Sequence, residues 1–81
     1  MAHMGATTVA VAFGKILRDC RSKAGVSQEE LADRADIDRT YVSLLERGLR
    51  QPTLDTLFRL AAGLNVAPAT LVAKTASSLG R

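Results

Sequence analysis

"SQEELADRADIDRTYVSLLERG" (residues 27–48) contains two short amphipathic segments separated by only a few residues. Neither segment is long enough to hold a helix in water alone. Ser27-Gln28-Glu29-Glu30 is a capping-box pattern, in which the serine oxygen takes a free amide and Glu30 reaches back. A helix over 28–35 follows, with Leu31, Ala32 and Ala35 as its buried face. Asp38 is the next N-cap and opens a helix over 39–47, which Gly48 ends. The join over residues 36–38 is short enough to force a sharp angle, the geometry of a helix-turn-helix. Val42 and Leu45 then face the core, while Arg39, Thr40, Ser43 and Leu44 point outward.

The rest of the chain supports these two segments. Val9, Phe13, Ile16, Leu17 and Cys20 recur at helical spacing, giving a helix over about 9–23 with Gly25 suited to its stop. Leu49-Arg50-Gln51-Pro52 is a loop, and Thr53 caps a fourth helix carrying Leu54, Leu57, Phe58, Ala61 and Leu64. Pro68 suits the first position of a fifth helix, over about 68–75. No stretch combines β-branched alternation with turn signals. The expectation is an all-α, compact five-helix domain over 8–76, with short tails over 1–7 and 77–81.

At 81 residues there is room for one domain. Met1-Ala2-His3-Met4 reads as an expression remnant, which removes His3, the only histidine, from any site. One cysteine, Cys20, cannot form an internal disulfide and sits on an apolar face as a core thiol. There is no signal peptide and no run of transmembrane length, so the expectation is a cytoplasmic protein without membrane contact. A net charge of +3, from 11 basic and 8 acidic residues, leans mildly toward polyanions. Metal-ligand spacing, a Gly-rich phosphate loop and a histidine base for Ser27, Ser43 or Cys20 are all lacking. The reading is therefore not an enzyme, with no cofactor, metal or small-molecule ligand.

Over about residues 13–71 the chain resembles the lambda-repressor/Cro-type, or XRE, helix-turn-helix regulators. The matching pieces are "LRDCRSKAGVS", "SQEELADRA", "YVSLLERG" and "RQPTLDTLFRLAAGLNV". The spacing of "DRTYVSLLERG" from "PTLDTLFRLA" further resembles the controller proteins of restriction–modification systems, which bind their own promoter as dimers. The resemblance implies base reading by Arg39, Thr40, Ser43 and Leu44. It implies phosphate contacts by Gln28, with Tyr41, Arg47, Arg50 and Thr53 as further candidates. It also implies a structural salt bridge between Arg21 and Glu46. At Asp36 the family usually has glycine; Asp tolerates the left-handed conformation but adds negative charge there.

One short reading helix covers few base pairs, so the expected partners are a pseudo-palindromic double-stranded DNA and a second copy of the chain. Leu64, Val66, Leu71 and Val72 are the candidate dimer surface, and RNA polymerase is a further candidate contact. The rival reading is a protein-interaction module on the same fold, such as the antitoxin of a toxin–antitoxin pair. It draws on the low net charge and on apolar Leu44 at a reading position.

Overall fold

A computed structural model of the chain describes residues 4–80, with side chains from residue 9 onward. Met1, Ala2 and His3 of the remnant reading, and Arg81, lie outside the described residues. Five helices follow in order: α1 Met4–Ala24, α2 Gln28–Ala35, α3 Arg39–Glu46, α4 Leu54–Leu64 and α5 Pro68–Ser78.

The starts of α2 to α5 each have a local chemical cause. The Glu30 amide donates to Ser27 Oγ at 3.0 Å, and the Ser27 amide to the Glu30 carboxylate at 3.4 Å, completing the capping box. The Asp38 carboxylate accepts from the Thr40 amide at 2.9 Å. Thr53 Oγ1 accepts from the Thr56 amide at 3.1 Å. Ala67 supplies no side-chain cap, and Pro68 opens the first turn of α5 instead, its ring fixing a helical φ and its missing N–H removing one orphan donor.

Two boundaries differ from expectation. The backbone of α1 starts at Met4 instead of about residue 9, since no proline interrupts residues 4–8. α5 continues past residue 75 to Ser78, so Ser77 and Ser78 are helical and not tail. The cause is burial: Thr75 is enclosed, its hydroxyl donates to the Leu71 carbonyl at 2.8 Å, and Leu79 is half-buried one turn on.

Every helix contributes a fully enclosed side chain to one core: Leu17, Leu31, Val42 and Leu45, Leu60, and Leu71. Burying each such leucine stabilises by roughly 1.5–3 kcal/mol relative to leaving it exposed. α1 packs on α3 and α5, and α2 lies between α3 and α4. The α1–α3 contact passes over Gly14, where an added Cβ would stand 2.5 Å from the Leu45 carbonyl oxygen and 2.7 Å from that of Glu46. Only glycine permits that approach.

The dimer expectation needs correcting at two positions. Leu64 is 5% exposed and Leu71 is 0% exposed, both inside the core cluster, so neither is available to a partner. Helical spacing marks a residue as apolar-facing but does not say which apolar face it meets. Val66 is half-buried against the same core, and Val72 is 53% exposed. Among the described residues no single helix is long and apolar enough to cross a membrane.

Candidate nucleic-acid interface

The turn between α2 and α3 is closed by backbone geometry. Asp36 takes the left-handed conformation at φ 57°, ψ 49°, and the Ile37 amide donates to the Ala32 carbonyl at 3.0 Å. Ala32, at the crossing, is buried and small enough for close packing. The turn fixes the rotation of α3. Val42 and Leu45 point into the core, Arg39 and Thr40 are exposed, and Ser43 and Leu44 are half-buried. The exposed edge at the helix start is thus polar and cationic, with an apolar contact available at Leu44. Leu44 is half-buried but is not among the partly buried side chains that pack against the core cluster.

The far end of α3 is held from below. Arg21 Nε donates to Glu46 Oε2 at 2.6 Å and Nη2 to Oε1 at 3.0 Å, a bidentate pair across α1 and α3. Arg21 Nη1 also donates to the Val26 carbonyl at 2.9 Å, tying in the α1–α2 loop. The Glu46 side chain is only 3% exposed. The hydrogen bond Arg21 donates to Glu46 is the main influence raising Arg21 above its ordinary pKa, against burial, which works to lower it. The salt bridge implied by the resemblance is therefore formed. Gln28 joins it: Nε2 donates to Glu46 Oε1 at 2.9 Å. One amide hydrogen of Gln28 is thereby committed, and the other is left for an outside acceptor.

Two expected phosphate contacts are constrained by existing bonds. The single hydroxyl hydrogen of Tyr41 goes to the Gln51 carbonyl at 3.3 Å, so the ring tethers the loop before α4. A phosphate, being an acceptor, would have to compete for it. Thr53 donates to Thr56 Oγ1 at 3.0 Å while capping α4, so its hydroxyl is likewise engaged.

The cations divide into two groups. Arg21, Lys23, Arg34 and Arg59 are ion-paired with carboxylates. Arg39, Arg47 and Arg50, on α3 or just beyond it, are exposed and carry no ion pair among the described residues. Lys15 and Arg18 on α1 and Lys74 on α5 are exposed and unpaired as well, so three of the six unpaired cations among the described residues gather on or beside one helix. Among the described residues no group of three or more His, Cys, Asp or Glu side chains is placed to hold a metal ion. Sequence reading missed two of the paired arginines. Arg34 Nη1 donates to the Gly63 carbonyl at 3.2 Å, and Arg59 reaches the α2–α3 turn. Their i−4 acids, Glu30 and Asp55, were visible as helical pairs, but the tertiary contacts were not.

Comparison with known proteins gives a consistent picture. A family described as helix-turn-helix matches residues 17–71. The chain is 43% identical over 61 residues to the control protein C.BamHI of Bacillus amyloliquefaciens, covering 74% of this chain and 75% of that one. Its fold matches the crystal structure of the restriction–modification controller protein C.AhdI from Aeromonas hydrophila. That match has a TM-score of 0.75 and 42% identity, and covers 76% of this chain and 94% of that one. A third similarity, with a TM-score of 0.81 and 26% identity, covers 90% of this chain and 96% of the other. It is to the controller protein C.Esp1396I, solved as a tetramer in complex with its natural 35 base-pair operator.

Proposed function

The chain belongs to the helix-turn-helix family, in its XRE-type branch, and from that membership we propose that it is a sequence-specific regulator of transcription. It binds a pseudo-palindromic double-stranded operator as a homodimer through the major groove. The observation that carries this reading is the set of unpaired arginines on and beside α3. An exposed arginine at the start of a helix can engage guanine O6 and N7 together. Arg39 takes that role, with Thr40, Ser43 and Leu44 completing the reading edge. Arg47 and Arg50 contact phosphate, which sets register and affinity without carrying sequence information directly. Gln28 offers its remaining amide hydrogen at the N-terminal end of α2, where anions are favoured. Tyr41 and Thr53 act on the backbone only if DNA displaces the bonds they now make.

The resemblance to controller proteins directs the regulation to restriction–modification genes, the regulator's own among them, with RNA polymerase as a further contact. For the second copy, Val72 is the best-placed anchor. It borders a groove of about 300 Å³ that Val9, Phe13, Thr75, Ala76 and Leu79 also line. Its apolar walls suit a partner of like composition, and two reading helices one turn of DNA apart supply the discrimination that one lacks.

Selection from a random duplex pool, followed by titration at two salt concentrations, tests the reading. The expected result is a twofold-symmetric motif whose affinity falls steeply as salt rises. The alternative, a protein-binding module, has one observation in its favour: Leu54 and Phe58, one turn apart on α4, are 70% and 55% exposed. A pool without enrichment would overturn DNA reading and favour that alternative.

A further inference from the structure

The α2–α3 turn carries an awkward charge. Asp36 occupies a left-handed position that glycine would take without strain, and it stands three residues ahead of Arg39. Its side chain is 97% exposed. A free carboxylate there would repel the phosphates that the start of α3 must approach. Arg59, on α4, reaches back to this turn. Its Nη1 donates to the Asp36 main-chain carbonyl at 3.3 Å and lies 3.6 Å from Oδ2. Its Nε is held from the other side by Asp55 Oδ2 at 3.0 Å. One guanidinium thus contacts both the backbone and the side chain of the residue that sets the α2–α3 angle. α4 packs on α2, so the ion pair draws the carboxylate toward α4 and not along α3.

We propose that Arg59 is a positioning residue for DNA binding: it clamps the Asp36 turn and offsets the Asp36 charge, so that α3 presents Arg39 without competition from the Asp36 carboxylate. The proposal rests on the reading of α3 as the DNA-contacting helix. Arg59 needs no DNA contact of its own in this role, because its hydrogen bonds are directed at Asp36 and Asp55. Asp55 orients the guanidinium, and the clamp is complete only with all three residues. Both charged partners are substantially exposed, so the effect belongs to binding at low ionic strength more than to stability.

The test uses a duplex enriched by the unaltered chain from a random pool, titrated at low and high salt with Arg59→Gln, Asp36→Asn and the double variant. Asparagine keeps the left-handed turn and removes the charge. Arg59→Gln is expected to weaken binding about three- to fivefold at low salt, with a smaller loss at high salt where charges are screened. Its melting temperature should stay close to that of the unaltered chain. Asp36→Asn alone should shift affinity less than about twofold, because the carboxylate is already held, and the double variant should bind more tightly than Arg59→Gln, short only of the part carried by the bond to the Asp36 carbonyl. Non-additivity is the decisive readout. An Arg59→Gln variant that binds normally would overturn the clamp. So would a loss that persists undiminished in the double variant, which would mark Arg59 as a direct phosphate contact. Equal and opposite single effects that simply add would reduce the pair to net charge and overturn it as well. Arg39→Ala in the same titration separates the two claims: unchanged affinity there removes α3 as the reading helix, whereas the Arg59 comparison bears on the clamp alone.

Discussion

The molecule contains the same two-helix turn twice, put to different uses. α2 and α3 meet at Asp36, and α4 and α5 meet at Asn65. Each of these two residues is left-handed, with φ of 57° and 61°. In each turn the next residue is β-branched and apolar. The Ile37 amide donates to the Ala32 carbonyl at 3.0 Å, and the Val66 amide to that of Ala61 at 2.9 Å. Leu31 and Ala32 before the first turn match Leu60 and Ala61 before the second, all buried, and enclosed Val42 matches enclosed Leu71. α4 and α5 cross at 105°, so the second unit is as sharply bent as a helix-turn-helix requires. The outward positions differ. Arg39, Thr40, Ser43 and Leu44 on α3 correspond to Pro68, Ala69, Val72 and Ala73 on α5. Only Thr40 and Ser43 among these eight have a hydroxyl and only Arg39 a charge. The turn sets how a helix is presented, and the residues on its outer edge decide what it can meet.

The two units also differ in what holds them. The first is braced by Glu46, which receives Arg21 and Gln28; Lys74 and Thr75 near the matching place on α5 make no such bridge. Glu46→Ala should therefore have the largest effect of any change to a polar or charged residue of α3. Leaving Arg21 without its partner is expected to cost about 3–5 kcal/mol in denaturant unfolding. A loss below about 1 kcal/mol would mean that the first unit, like the second, stands on apolar packing alone.

Next comes the exchange of outer faces. Val72→Asp places a carboxylate where the second unit is apolar and should raise the dimer dissociation constant roughly 10- to 100-fold in sedimentation, or about 1.5–3 kcal/mol. Monomer melting should hardly move, since Val72 is half exposed. A dimer of unchanged strength would take the partner surface away from α5. On the first unit, Arg39→Ala is expected to lower preference for the selected operator over a scrambled duplex by about 1–3 kcal/mol. Arg50→Ala should instead weaken both duplexes alike.

Local chemistry made much of this legible in the chain itself. Ser27 with Glu30, Asp38, Thr53 and Pro68 each start a helix where their side chains or ring dictate, and α2 runs over 28–35 as its pattern indicates. Arg21 and Glu46 came from resemblance, and the bidentate geometry agrees with it. What local pattern could not resolve was the choice among apolar faces. Leu64, Leu71 and Val72 look alike as helical apolar residues, yet the first two close the core and the third does not. Contacts between distant segments were equally hidden. Gln28 with Glu46, and Arg59 with Asp36, depend on how helices cross and not on any spacing along one helix. The repeated turn, over "LADRADI" and "LAAGLNV", was not read from the sequence and emerged only from the matching dihedral angles and hydrogen bonds.

The smallest expected effect concerns the two helix starts, and it separates turn geometry from capping. Asp38 caps α3 through the Thr40 amide, whereas Ala67, at the matching place before α5, caps nothing. Asp38→Ala should cost about 1 kcal/mol, and Ala67→Ser should gain about half that, since the fixed φ of Pro68 already favours the start of α5. Both residues have extended backbones, with ψ of 138° at Asp38 and 141° at Ala67, so neither change disturbs the turn. Paired urea titrations of the two variants would measure this. A gain at Ala67 as large as the loss at Asp38 would show that Pro68 contributes little to the start of α5. No gain at all would show that the proline and the buried Leu71 already fix that start, leaving the cap as a requirement of the reading unit alone.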